Sequence, residues 1–387
     1  MPESPIRKLV PYAEKAKKNG VKVFHLNIGQ PDIETPYSAI EAVKNSNIKV
    51  LAYSKSEGDF ELRNKICDYY SKINIEINES QVIVTSGASE ALLFTIGSIM
   101  DPGDEIIIPE PFYANYNGFS VANGVNIIPI FSSIDNNFEL PKIQEFENLI
   151  SSSTKAILIC NPNNPTGYVY SYDEIKTLVE IVKKHNLFLI ADEVYREFTY
   201  DNVSHTSIMQ FDDIKQHAIV IDSVSKRYSM CGARIGCIIS KNSEFISTAM
   251  KFAQARLSPP TLAQIASTAA MDTGEDYFDK VINEYDNRRK TLVEGLNKIP
   301  GVKVSEPKGA FYCVVELPVD NSEHFAKWLL EEYSLDNETI MVAPAAGFYS
   351  TPNIGQNQVR IAYVLNQNDL ESCINILKNG LMEYLKQ

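Results

Sequence analysis

Lys226 stands in Ser223-Val224-Ser225-Lys226-Arg227-Tyr228-Ser229-Met230-Cys231-Gly232-Ala233-Arg234-Ile235-Gly236, just after the apolar run Ala218-Ile219-Val220-Ile221. A lysine amine is a useful nucleophile only when its pKa is lowered, and partial burial beside a cation such as Arg234 can do that. A lone lysine in a loop would be read as solvated, but three more clusters accompany it. Asp192-Glu193-Val194-Tyr195 follows the apolar run Leu187–Ala191. Asn161-Pro162-Asn163-Asn164-Pro165-Thr166-Gly167 follows Lys155–Cys160, and its three amides supply more hydrogen-bonding groups than turn geometry needs. Ser86-Gly87-Ala88-Ser89-Glu90 lies between Gln81–Thr85 and the helix-like Ala91–Phe94. A small-residue turn into a helix offers free backbone N–H groups to an anion.

The elements that must position these groups alternate. Strand-like runs are expected at 81–85, 105–108, 126–131, 155–160, 187–191 and 218–221, with helical patterning between them. Ser171 and Glu174 form an S-x-x-E capping box, followed by Ile175, Leu178, Val179 and Val182 at helical spacing. Such alternation predicts an α/β fold, a large domain with a mostly parallel sheet flanked by helices. In these sheets ligands bind beyond the carboxyl ends of the strands, where all four clusters fall. After about residue 280 the pattern changes to a long helix at 285–297, then strands at 310–317, 340–343 and 358–364, a helix at 322–332 and a last helix at 369–385. A helix at 4–19 and an extended segment at 21–28, closed by Gly29-Gln30-Pro31-Asp32, open the chain. The expected division is a large domain over 46–284 and a smaller α+β domain made from both termini, 1–45 and 285–387. In the last strand, alternation sets Arg360 on the face opposite Val359 and Ile361. From pattern alone Arg360 is equally a surface arginine, and Gly29 a plain turn glycine.

The chain has 387 residues, more than one ordinary core accommodates. A net charge of −13 argues against nucleic acid as a partner. No stretch approaches the roughly 18 consecutive apolar residues of a membrane span, and the N-terminal residues lack the apolar region of a signal peptide. Cys67, Cys160, Cys231, Cys237, Cys313 and Cys373 are scattered with no CxxC pair, so neither metal ligation nor a disulfide framework is expected and a reducing cytoplasm suits them. A G-x-G-x-x-G turn of the dinucleotide-binding type is missing.

An active lysine, a carboxylate and an anion cradle together suit pyridoxal 5'-phosphate. That cofactor needs an amine for its aldehyde, a carboxylate at its ring nitrogen and a phosphate site. SVSKRYSMCGARIG resembles the lysine signature of the class I/II aminotransferases, the fold type I pyridoxal phosphate enzymes, and the chain is similar to their bacterial aspartate aminotransferase subgroup. NPNNPTG, ADEVY, TSGASEAL and NQVRIAYV resemble four more motifs of that family in the family's order, and the likeness runs from SPIRKL and NIGQPDIETP to the last strand.

The resemblance implies roles residue by residue. Lys226 is the Schiff-base lysine and proton carrier, Asp192 faces the ring nitrogen, and Tyr195 and Asn164 donate to the ring's 3′ oxygen. Ser223 and Arg234 bind phosphate with the backbone of Ala88 and Ser89, and Tyr113 stacks on the ring. Arg360 takes the substrate α-carboxylate, which the backbone at Gly29 approaches, and Asn164 also adjoins substrate. Tyr53 reaches the phosphate of a neighbouring subunit, implying a homodimer. The implied activity is transamination between an amino acid and a 2-oxo acid, aspartate or glutamate with 2-oxoglutarate first, with no metal. The chain departs from the family where Cys231-Gly232-Ala233-Arg234 replaces Thr-Gly-Trp-Arg, and at Ser89, where some aspartate-specific relatives carry lysine. Arg256, in Gln254-Ala255-Arg256-Leu257-Ser258-Pro259-Pro260, lies in a segment that the resemblance places near the partner's active site, and is either a reader of a distal carboxylate or a surface arginine. Tyr12, Tyr116, Phe348 and Tyr349 either line an aromatic-tolerant pocket or belong to the core. The rival chemistry on the same cofactor is β-elimination, a carbon–sulfur lysis. A regulator that kept only the fold would usually carry an added DNA-binding domain.

Overall fold

The computed structural model describes residues 4–387. In chain order its strands are β1 (Lys22–His25), β2 (Val82–Thr85), β3 (Glu105–Glu110), β4 (Asn126–Phe131), β5 (Thr154–Cys160), β6 (Phe188–Asp192), β7 (Ala218–Ser223), β8 (Gly236–Ile239), β9 (Lys303–Val304), β10 (Tyr312–Glu316), β11 (Glu338–Met341), β12 (Ala343–Pro344) and β13 (Gln358–Ala362). Seven of them form one sheet in the order β2-β8-β7-β6-β5-β3-β4. β8 alone runs antiparallel to its neighbours, so the sheet is mostly parallel, as the alternating pattern predicts.

Successive residues of the central strands feed two separate cores. Ala156, Leu158, Ile190, Ile219 and Ile221 pack on one side, and Ile157, Ile159, Leu189, Ala191 and Val220 on the other. Helices cover both faces, which is why these strands read as unbroken apolar runs rather than as alternating ones. The helix Tyr172–His185 shows how they are held. The Ser171 hydroxyl accepts the Glu174 amide at 3.3 Å, Glu174 accepts the Ser171 amide at 2.8 Å, and Ile175, Leu178, Val179 and Val182 are buried.

A second unit comes from the last third of the chain, an antiparallel sheet β12-β13-β10-β9 with the helices Ser322–Glu331 and Gln367–Tyr384. The N-terminal segment joins it, because β1 pairs in parallel with β11 from Lys22↔Glu338 to His25↔Met341. No helix among the described residues is long and apolar enough to cross a membrane.

Three stretches of the chain differ from expectation. The first helix starts at Val10, with Pro11 in its first turn where a missing N–H costs nothing, and residues 5–9 form turns. The long helix starts at Glu275 rather than Tyr285, because Glu275 and Asp276 suit a helix N-terminus although they carry no apolar signal. The stretch 236–270, without assigned elements in the sequence reading, holds β8 and the helices Ser243–Arg256 and Thr261–Ala270.

Candidate active site

β2, β5, β6 and β7 deliver their carboxyl ends to one cleft of about 710 Å³ between the two units. β7 ends at Ser223 and passes into the four-residue helix Val224–Arg227, so Lys226 stands on a helical turn rather than in a loop. The Ser223 hydroxyl caps that turn by accepting the Ser225 amide at 3.0 Å. The Lys226 Nζ donates to the carbonyl oxygen of Gly29 at 2.8 Å and lies 3.6 Å from Cys231 Sγ.

Asp192, the last residue of β6, is buried. Tyr116 donates to its Oδ2 at 2.8 Å, while Oδ1 is buried with no partner. Burial raises the Asp192 pKa to about 6, against the lowering effect of the Tyr116 bond. A buried acceptor without a donor is unfavourable, so this oxygen suits an N–H supplied from the cleft.

Arg360 projects from β13 opposite Val359 and Ile361 and is 1% exposed. It donates to Asn164 Oδ1 at 3.0 Å and to the carbonyl oxygen of Asn27, and the rings of Tyr312 and Phe348 lie 4.6 and 5.0 Å from its guanidinium. No carboxylate pairs with it among the described residues, and its Nε is buried without a partner. Burial lowers its pKa. An unneutralised buried guanidinium beside a cleft is a receptor for a carboxylate, which it can grip with two parallel bonds.

Asn164 Nδ2 reaches the Tyr195 hydroxyl at 3.5 Å, and that hydroxyl shares a 2.9 Å bond with Tyr312. Tyr312 also packs on Gly29, where an added Cβ would lie 1.8 Å from its hydroxyl. Gly29 is therefore required by close approach rather than by turn geometry.

At the far side, the helix Ala88–Ile99 starts with Gly87 at φ 81°. Its first amides have no partner inside the helix, and Ala88 and Ser89 line the cleft. Arg234 lies across this start, since a Cβ on Gly87 would meet its Nη2 at 2.3 Å. It donates to the Cys231 carbonyl at 3.1 Å and to the Ser86 carbonyl at 3.5 Å, and the residue is exposed. Together these form a cradle for a phosphate. Ser223 Oγ is already engaged, lying 2.9 Å from the Ile235 carbonyl oxygen and 2.8 Å from Ser225 Oγ. Ser225, which the sequence reading passed over, also lines the cleft. Tyr113 lines the cleft, with burial pushing its phenol up to about 12.

The donor set fits pyridoxal phosphate: a lysine, a buried carboxylate with one open oxygen, and an anion cradle face one space. Of the residues singled out from the sequence, Gly29, Ala88, Ser89, Tyr113, Asn164, Asp192, Tyr195, Ser223, Lys226, Arg234 and Arg360 all line the cleft. Tyr53 does not; it is 80% exposed in a surface loop. Arg256 is also absent from it. Its guanidinium pairs with Glu90 at 2.6 Å and donates to the Ser56 carbonyl at 2.9 Å. Nor do Tyr12, Tyr116, Phe348 and Tyr349 line the cleft. Tyr116 and Phe348 stand behind Asp192 and Arg360, Tyr349 bonds Gln358 at 2.6 Å, and the Lys327 amine sits 4.8 Å above the Tyr12 ring. The positioning residues Tyr312 and Asn27 were missed; the aromatic pair Phe311-Tyr312 at the start of β10 was the available signal.

Residues 21–377 match the family model of aminotransferase class I and II. An aspartate aminotransferase of Pyrococcus horikoshii is 32% identical, over 98% of this chain and 94% of that one. A single mutant of the Thermus thermophilus aspartate aminotransferase superposes with a TM-score of 0.90 at 26% identity, covering 98% of this chain and 97% of the other. An alanine aminotransferase from Pyrococcus furiosus gives 0.90 at 29% identity, covering 98% of each.

Proposed function

The chain belongs to the class I and II aminotransferases, enzymes of pyridoxal phosphate-dependent transamination, and on that premise we propose that it exchanges the amino group of aspartate or glutamate with 2-oxoglutarate. The single observation that carries the site assignment is buried Asp192, which lines the same cleft as Lys226 and keeps its Oδ1 without a partner. When bound, the cofactor supplies a carbonyl that joins an amine and a ring that takes up the electron pair released at the substrate α-carbon.

The chain's own groups do the rest. Asp192 accepts the ring N–H and keeps that nitrogen protonated. Arg234 and the amides of Ala88 and Ser89 hold the phosphate, with Ser223 capping the turn beside them. Tyr113 covers the ring face, and Tyr195 and Asn164 hold its 3′ oxygen. Arg360 grips the α-carboxylate next to Gly29 and so fixes the direction of the Cα–H bond. The Lys226 amine takes the proton from that carbon and returns it. We place Tyr53 at the phosphate of the partner in a homodimer, which its exposure beside Val50 and Leu51 favours. We keep the division into 46–284 and 1–45 with 285–387, in which the seven-stranded sheet falls in the first range and the two- and four-stranded sheets in the second. A cytoplasmic setting suits six free cysteines. The relatives named above are aminotransferases, so β-elimination is not carried forward.

The test is Lys226→Ala, assayed with a panel of amino acids and 2-oxo acids alongside the absorbance of the purified protein. Wild type should show a cofactor band that aspartate or glutamate shifts, and the variant should lose turnover. Turnover surviving in the variant, or a wild type that takes up no pyridoxal phosphate, would overturn the assignment.

A further inference from the structure

The cleft contains one cation for which the chemistry above has no use. Four cationic side chains line it, Arg7, Lys226, Arg234 and Arg360, against the single carboxylate of Asp192. The phosphate answers Arg234, the ring N–H answers Asp192, and the α-carboxylate answers Arg360. Arg7 is left over. Among the described residues its guanidinium makes no ion pair and no hydrogen bond, and it is exposed to the cleft mouth.

Its root, by contrast, is fixed. The Arg7 amide donates to the Ser4 carbonyl at 3.1 Å. Pro5 is packed so closely on Gly347 that a Cβ there would meet it at 2.6 Å, and Leu9 is buried. Asn27 then ties this turn to the α-carboxylate receptor. Its side chain donates to the Ile6 carbonyl at 2.8 Å, and its own carbonyl accepts from Arg360. One residue thus ties the backbone of the turn that carries Arg7 to the guanidinium of Arg360. Arg256, the other arginine considered for a distal carboxylate, is held by Glu90.

We propose that Arg7 reads the distal carboxylate of a dicarboxylic amino acid or 2-oxo acid whose α-carboxylate lies on Arg360. This rests on the transamination reading and names the residue that makes it selective for acidic substrates. A substrate with a neutral side chain leaves Arg7 to water; one with a second carboxylate gives it a charge-assisted partner. Arg7 acts on binding, and the effect belongs mainly in KM.

The experiment uses the holoenzyme of wild type, Arg7→Gln and Arg7→Lys. kcat and KM are measured for glutamate and aspartate against leucine and phenylalanine, and maleate, an unreactive dicarboxylate, is titrated as a binding probe. In Arg7→Gln the ratio of acidic to neutral kcat/KM should fall about tenfold or more, maleate should weaken by a similar factor, and Arg7→Lys should recover part of both. A wild type that uses acidic substrates while Arg7→Gln keeps the same ratio overturns the role of Arg7 and leaves the substrate reading intact. Equal losses on acidic and neutral substrates would make Arg7 a support for its turn and also overturn the proposal. A wild type that uses neutral amino acids but no acidic ones removes the substrate reading, and the role of Arg7 with it.

Discussion

Asp192→Asn should stabilise the protein without cofactor and weaken it with cofactor. The carboxylate is buried with one oxygen unpartnered, and burial lifts its pKa from 3.8 to about 6. A shift of about two units corresponds to about 3 kcal/mol. The folded state binds the proton more tightly than the unfolded chain does. The associated stability is therefore fully present below pH 3.8 and lost as pH rises through about 6. At pH 8 the ionised Asp192 costs the apoprotein about 3 kcal/mol, and at pH 5 roughly half of that. Asparagine keeps the shape and a bond to Tyr116, carries no charge and should recover most of that difference. Urea unfolding of both apoproteins at pH 8 and pH 5 measures it. Binding of the cofactor then reverses the sign, because its ring N–H is the partner Oδ1 lacks, so the variant should bind pyridoxal phosphate more weakly and turn over more slowly. Equal apoprotein stabilities at pH 8, or a difference that stays the same at pH 5, would refute the reasoning.

Two further outcomes are expected. Arg360→Lys keeps the charge but loses the two-pronged grip at a fully buried position, so kcat/KM should fall by about 100-fold or more for acidic and neutral amino acids alike; a loss confined to one class would move the α-carboxylate elsewhere. Gly29→Ala places a Cβ 1.8 Å from the Tyr312 hydroxyl, which must move and loosen its bond to Tyr195; a loss of about 1–3 kcal/mol in thermal unfolding is expected, with reduced turnover, and unchanged values for both would show that the close approach does not matter.

The parallel sheet was legible because β5, β6 and β7 are buried on both faces and so appear as uninterrupted apolar runs. Lys226, Asp192 and the Asn161–Gly167 loop were legible because each follows such a run directly. β8 was not, since four residues of Gly-Cys-Ile-Ile carry too little periodicity to register. The start of the long helix was hidden for a different reason: its first turn is chosen by charge, not by apolar spacing. The partners of Tyr116, Tyr312 and Asn27 lie beyond sequence reading because these residues act across the fold. Tyr116 meets a residue 76 positions away, and Arg360 reaches Asn27 over 333 positions. No local pattern records a partner at that distance. Arg7 had been read only as part of a helix, and its place in the cleft depends on that same long-range closure.

The pairing of β1 with β11 also bears on how the chain is made. Lys22 leaves the ribosome 316 positions before Glu338, its ladder partner. At cellular synthesis rates that gap lasts roughly 15–60 s. In its last part, once β8 has been made, the large sheet is complete and able to fold while the N-terminal segment, with Val23 and Phe24 destined for burial, still has nothing to pair with. The segment that carries Gly29 and Asn27 is thus among the first parts synthesised and among the last placed. The nascent protein passes through a stage with its sheet formed and its cleft still open along one wall, a stage in which chaperones that shield exposed strands would find a client.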